Sequence, residues 1–278
     1  LNAGMTCPNR DGTVGSRGCI FCSAGGSGDF AADKNLSVTE QLEQGRARIA
    51  GKYNGSSYIA YFQAYTNTYA PTAHLRKIFT EAVRHPNIRI LDIATRPDCL
   101  GPDVLELLEE LNRIKPVWVE LGLQTIHPET AAFIRRGYEL PVFAKAVQDL
   151  RARRIPVIVH TILGLPGEDL AHQLATVRYL NTLDIQGVKF QLLHILKHTD
   201  LALYYQEHPF RLPDMEEYFH ILGRCLCTLR PDLVVHRLTG DGPKSLLIAP
   251  LWTGNKRQVL NRLHAYLQEH DIWQGKEC

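Results

Sequence analysis

The chain has 278 residues, 45% of them apolar and 22% charged, which is enough for a sizeable core and excludes disorder or a fibrous repeat. Thirty-one basic against 29 acidic residues leave a formal charge of +2, so charge alone announces no polyelectrolyte partner. No apolar run approaches the ~20 residues that span a bilayer, and no secretory signal is present. The longest run, Ile155 to Pro166, is broken by Pro156, His160 and Thr161. The chain opens at Leu1 and reaches a motif at Cys7 almost at once, so it reads as a piece whose natural start lies upstream.

A helix is expected from Val38 to Ala50, opened by Ser37 and Glu40 at capping-box spacing. From there short apolar runs alternate with amphipathic ones. Strands are expected at Tyr58 to Tyr65, Ile88 to Thr95, Val117 to Gln124, Pro156 to Leu163 and Gly187 to Ile195. The helices between them are Ala73 to Arg84, Pro102 to Arg113, Pro141 to Arg154 and Glu168 to Leu183. Such alternation predicts an α/β fold with a parallel sheet and right-handed crossovers, as an open sheet or a barrel. Helices at Asp214 to Leu229 and Asn255 to His270, with a strand at Leu233 to Leu238, make a C-terminal α/β extension. The expected division is a barrel over 1–200 with the extension, 201–278, packing on it.

In Val117 to Gln124 the odd positions are all apolar, while the even ones are Trp118, Glu120, Gly122 and Gln124. The other strands repeat the asymmetry with Gln63, Asp92 and Arg96, His160, then Lys189 and Gln191. If the apolar parity meets the helices, the polar parity lines a common interior. Each unpaired buried polar group there would cost about 1–3 kcal/mol, so the interior is wet, ligand-filled or laced with salt bridges.

Seven cysteines, spread unevenly, do not make a disulfide framework and point to a reduced, cytosolic setting. Cys7, Cys19 and Cys22 cluster in CPNRDGTVGSRGCIFC. A C-x-x-C pair brings two sulfurs onto one centre. A closed zinc site wants four ligands, and no His lies in the first seventy residues; the distant Cys99 could supply the fourth. Three thiolates on a [4Fe–4S] cluster would instead leave one iron open. Cys225 and Cys227 sit in an amphipathic helix and read as core residues.

The three-cysteine motif with Phe21 before its last cysteine resembles the radical S-adenosylmethionine (radical SAM) superfamily. Its long first spacing is similar to that of the Elongator catalytic subunit. Further likenesses follow in order: ATRPDCL (94–100), ELGLQT (120–125) and HTILGLPGE (160–168) resemble the third-, fourth- and fifth-strand motifs of that type. CPNRDGT, TNTYAP (66–71) and RLTGDGP (237–243) resemble the YhcC/YtqA type of bacterial radical SAM protein. The resemblance implies a partial (βα)6 TIM-like barrel whose first strand, expected before Cys7, is missing from this chain. The usual Gly-Gly-Glu after the second strand is replaced by QAYTNTY (63–69).

The resemblance further implies one [4Fe–4S] cluster held by Cys7, Cys19 and Cys22, with S-adenosylmethionine on the open iron. An electron from a flavodoxin- or ferredoxin-type donor would cleave it to a 5′-deoxyadenosyl radical. Gln63, Thr66, Asn67 and Gln124 are then candidates for methionine and ribose contacts, Ile162 and Gly164 for the adenine, with Phe21 beside the cluster. Arg96, Glu120, His160, His194 and Lys197 could orient substrate, although His194 falls on an apolar parity. The loop Arg237 to Pro243 is expected to close the barrel mouth. The implied substrate is a tRNA wobble-uridine side chain, in the cytoplasm and away from membranes. The alternatives are a small metabolite, as in the porphyrinogen oxidase branch, or a non-enzymatic zinc or cluster module. The basic pairs Arg135-Arg136, Arg153-Arg154 and Lys256-Arg257 read equally well as solvated helix faces.

Overall fold

The computed structural model describes residues 1–240 and 242–278. In chain order it contains α1 (Val38–Ile49), β1 (Tyr58–Phe62), α2 (Thr72–Arg84), β2 (Ile88–Thr95), α3 (Pro102–Asn112), β3 (Val117–Gln124), α4 (Pro128–Phe133) and α5 (Leu140–Ala152). Then come β4 (Val157–Leu163), α6 (Leu170–Asn181), β5 (Gly187–Leu192), β6 (Ile195–Leu196) and α7 (Asp200–Glu207). The chain finishes with α8 (Met215–Thr228), β7 (Val234–Arg237), β8 (Leu247–Ala249) and α9 (Lys256–Glu269). Six strands form a parallel sheet in the order β1-β2-β3-β4-β5-β7, while β6 and β8 make a small antiparallel ribbon. The α/β expectation therefore holds. The strand expected in the C-terminal extension, β7, joins the main sheet, with Gly187 opposite Val234 and Val188 opposite Val235.

Two compact units divide the chain: 1–18 with 25–122 and 141–158, and 19–24 with 123–140 and 159–278. In the first, Ser37 and Glu40 close the expected capping box at the start of α1. On α2, Leu75, Phe79, Ala82 and Val83 are fully buried, and Phe79 meets Phe62 of β1 edge-on with ring centroids 5.2 Å apart. The odd positions of β3 are buried as their parity predicts. Strand β1 stops at Phe62, three residues before its expected end, and Tyr65, expected within the strand, stands in the left-handed region at φ 61°.

In the second unit, α8 buries Tyr218, Phe219 and Leu222, and Trp252 and Tyr266 pack on them with centroid separations of 5.7–6.5 Å. Cys225 is fully buried in the same helix and its thiol is pushed up to about 12 by burial, a core residue as its amphipathic setting implies. The loop expected from Arg237 to Pro243 includes Asp241, which lies outside the described residues. Among the described residues, no helix is long and apolar enough to cross a membrane.

Candidate functional site

The site residues of the first unit gather around the turn that follows β1. Asn67, with no exposed surface, donates from Nδ2 to the carbonyls of Phe62 (3.0 Å) and Ala94 (2.8 Å). It thereby ties the end of β1 to the end of β2, while its buried Oδ1 has no partner. Thr66 is buried and its N–H donates to Thr6, one residue before Cys7 (3.2 Å). The Gln63 amide donates to the Ser27 carbonyl (2.8 Å), and the Arg10 guanidinium lies 5.6 Å from the Tyr65 ring centroid. The loop after Cys7 closes on itself: the Arg10 and Asp11 N–H groups reach Cys7 O, and Val14 and Gly15 reach Pro8 O. QAYTNTY thus serves as a hub for the cysteine loop rather than an open polar surface.

Arg96 forms a bidentate pair with Asp98, Nε to Oδ1 at 2.9 Å and Nη2 to Oδ2 at 2.6 Å, so the neighbouring motif carboxylate neutralises it. Glu120, 1% exposed, accepts from the Tyr61 hydroxyl at 2.7 Å across the polar parity of the sheet. Cys99 is half-buried, and burial, with Asp98 and Cys7 adding negative potential, pushes its thiol up to about 12.

The second unit holds Cys19 and Cys22 on one tight turn, closed by Cys22 N–H to Cys19 O at 3.0 Å. Two helices that the hydropathy pattern does not announce fix this turn. Ile20 N–H donates to Ile134 O, just past α4, and Ile20 O accepts from Leu201 N–H in the first turn of α7. Each satisfies a group that a helix end leaves without an intrahelical partner. The Ile20 side chain enters an apolar cluster with Ile134, Ile162, Leu165, Leu193 and Leu201, and Phe21 packs against it. The CxxC turn and the GLPG turn, with Gly164 at φ 80° and Gly167 at φ 84°, thus share one apolar socket.

At the end of β3, Gln124 adopts φ 67°, the left-handed region in which a non-glycine residue costs on the order of 1–2 kcal/mol. The brace is Arg136, which the RR pair in the sequence did not single out. Helix α4 ends in a Schellman motif: Arg135 N–H reaches Ala132 O and Arg136 N–H reaches Ala131 O, with Arg135 at φ 56° where glycine is usual. That reversal turns Arg136 inward to 3% exposure. Its Nη1 donates to Leu123 O (3.1 Å) and Thr125 O (2.6 Å), on either side of Gln124, and Nε donates to Tyr138 O (3.0 Å). Arg135 instead pairs with Asp200. Beside this corner the Thr125 hydroxyl donates to Glu168 at 2.5 Å, and burial pushes the Glu168 carboxyl above its ordinary range.

His160 on β4 accepts at Nδ1 from the Gln191 amide of β5 (3.1 Å). Lys197 is exposed, and its ammonium donates to Ser245 O (3.0 Å). His194 is half-buried, and a Cβ built on Gly240 would lie 2.7 Å from its Cε1. That close approach explains the glycine.

None of the three motif cysteines is in a disulfide and all are part-exposed, a soft donor set that suits iron–sulfur ligation. Among the described residues, no three His, Cys, Asp or Glu side chains are gathered into a group that could hold a metal ion, so the fit is one of donor chemistry.

The CxxC turn shares an apolar socket with a glycine turn, and a further cysteine heads a glycine-rich loop. The chain belongs to the radical SAM superfamily: residues 11–180 match its family model and residues 185–269 match the Radical_SAM C-terminal domain. It is 42% identical to YtqA of Bacillus subtilis over 99% of this chain and 86% of that protein. It is 36% identical to YhcC of Escherichia coli strain K12 over 98% and 87%. It is also 25% identical to the tRNA uridine(34) acetyltransferase of Methanocaldococcus jannaschii over 66% of this chain and 33% of that one. Its fold is similar to Elp3 of Methanocaldococcus infernus (TM-score 0.70, 15% identity, 85% of this chain and 59% of that one). The chain is thus a radical SAM enzyme of the Elp3-like, YtqA/YhcC type, and its cofactors are a [4Fe–4S] cluster and S-adenosylmethionine. Enzymes of this family draw on a reductant.

Proposed function

We propose that this enzyme modifies the wobble-uridine side chain of tRNA in the cytoplasm, with Cys7, Cys19 and Cys22 as the ligands of a single cluster. The observation that carries the substrate is the likeness to a tRNA uridine(34) acetyltransferase over 66% of the chain. That match covers 33% of the relative, so the acetyl transfer in its name is not carried over. The cofactor pair, when bound, supplies a radical able to abstract hydrogen, and the protein supplies binding and orientation. The electron comes from a flavodoxin- or ferredoxin-type donor.

Gln63, Thr66, Asn67 and Gln124 contact the methionine and ribose in this reading. Because both Asn67 N–H groups are committed to backbone carbonyls, Asn67 takes part through Oδ1, as an acceptor. Ile162 and Gly164 pack the adenine, supported by the apolar socket that also seats Ile20 and Phe21. Arg96, Glu120, His160 and Lys197 orient the uridine. With the Gln191 amide donating to Nδ1, the neutral His160 ring carries its proton on Nε2, a donor suited to a uracil carbonyl. The barrel core spans 1–200, and the extension, 201–278, lends β7 to its sheet.

The test begins with anaerobic protein reconstituted with iron and sulfide, then given S-adenosylmethionine and dithionite. 5′-Deoxyadenosine that disappears in Cys19→Ala and Cys22→Ala supports the ligand assignment, and product surviving in either variant overturns it. Nucleoside profiles of tRNA from a deletion strain test the substrate. A changed wobble uridine is expected, and unchanged profiles sink the tRNA reading.

A further inference from the structure

We infer that Arg136 is a positioning residue for S-adenosylmethionine, acting through Gln124. This rests on the reading of Gln124 as a cofactor contact and adds the group that makes that contact possible. Three observations on one corner carry it. Gln124 is held at φ 67°, a conformation a glutamine adopts only when its surroundings impose it. The two carbonyls flanking it are both held by a single nitrogen, Arg136 Nη1, at 3.1 and 2.6 Å. The guanidinium is 3% exposed and its Nε is anchored on Tyr138 O, so the fork stands in one orientation.

The geometry also says what a replacement loses. A lysine ammonium at this position offers a point charge on a flexible stem and cannot hold the Leu123 and Thr125 carbonyls together with that of Tyr138. Once one of the flanking carbonyls is released, the 124 backbone relaxes toward ordinary extended geometry. The Gln124 side chain then leaves the direction that the strand end gives it. The other bonds of the corner are local: Thr125 N–H closes on Leu123 O (2.8 Å), and the Thr125 hydroxyl donates to Glu168 and accepts from His127 N–H (3.1 Å).

The experiment pairs Arg136→Lys with Gln124→Ala, singly and together, in protein reconstituted anaerobically to equal iron content. Equilibrium dialysis reads the Kd for S-adenosylmethionine, and hydrogen exchange of the 123–127 peptide reads the corner in cofactor-free protein. Each single variant is expected to weaken binding about tenfold, and the double variant no further than the weaker single. The 123–127 amides of Arg136→Lys are expected to exchange faster. If Arg136→Lys does not fold, Arg136→Gln, which keeps one donor, serves in its place. Losses that multiply in the double variant, or unchanged exchange at 123–127, overturn the inference. A Gln124→Ala variant that binds as tightly as the parent overturns instead the assignment of Gln124 as a contact; the exchange result then decides the brace by itself.

Discussion

Two strand ends in this molecule are held by the same device built from different chemistry. In the first unit the Asn67 amide bridges Phe62 O at the end of β1 and Ala94 O near the end of β2. In the second, the Arg136 guanidinium bridges Leu123 O and Thr125 O at the end of β3. Both side chains are buried, and both give their donors to main-chain carbonyls at places where catalytic function is expected. The amide is neutral, comes from the loop it folds, and retains an acceptor. The cation comes from beyond a helix, carries its charge into the core, and retains none. The local staple leaves a group to offer a ligand, whereas the distant one can only aim a neighbour. A buried polar residue at these strand ends can thus frame a site without lining it.

The sharpest way to break this comparison is to reverse the polarity of the first staple. Asn67→Asp places a buried carboxylate against two carbonyl oxygens and removes both donors. Unfolding free energy is expected to fall by about 3–5 kcal/mol in chemical denaturation at neutral pH. A loss below about 1 kcal/mol would show that the Phe62 and Ala94 carbonyls find other partners.

The second staple should give way less completely. Arg136→Met keeps the stem and removes the charge, so no ion is stranded, but the carbonyls of Leu123, Thr125 and Tyr138 lose their shared donor group. A destabilisation of about 2–3 kcal/mol is expected by the same measurement. An effect as large as that of Asn67→Asp would mean that the second corner carries as much of the fold as the first.

The contrast between the staples also marks what hydropathy and motif could reveal. Strands β2 and β3 lie where alternation puts them, residue for residue, because one face of each is covered by helices. The Ser37 capping box and the core position of Cys225 were legible for the same local reasons. Helices α4 and α7 were not: at six and eight residues they are too short to display a period, yet their ends hold the CxxC turn. The burial of Arg136 was hidden for a different reason. It follows from a helix reversal at Arg135, where arginine stands in the conformation that usually announces itself as glycine. Asn67 was visible as a polar residue in a telling place, but its commitment to two carbonyls is tertiary.

A third strand end, that of β5, is held by close packing, and it should prove softer still. A methyl group on Gly240 would lie 2.7 Å from His194 Cε1 and 3.0 Å from Nδ1, so the ring must move. Gly240→Ala is expected to lower the unfolding free energy by about 1–3 kcal/mol. A wild-type melting temperature in this variant would show that the histidine yields without resistance, and that β5 is not braced from this loop.

The smallest effect comes from the carboxylate beside the second staple and has a direction in pH. Glu168 accepts from Thr125, the residue whose carbonyl Arg136 holds, and burial raises its pKa in the folded state. A carboxyl with a raised folded pKa binds its proton more tightly in the native than in the unfolded chain. Its contribution to stability is therefore greatest below the unfolded pKa, near 4.5. It declines as pH rises through the folded value, leaving a small cost at neutral pH. Glu168→Gln keeps an oxygen to accept the Thr125 hydroxyl and removes the ionisation. The variant should be slightly more stable than the parent at pH 7–8, by less than about 1 kcal/mol given the partial exposure of the group, and the advantage should vanish below about pH 4. Melting temperatures of the two proteins across pH 4–8 measure this directly. A variant less stable than its parent at pH 8 would mean that the ionised carboxylate, held by Thr125, is itself part of the frame around Gln124.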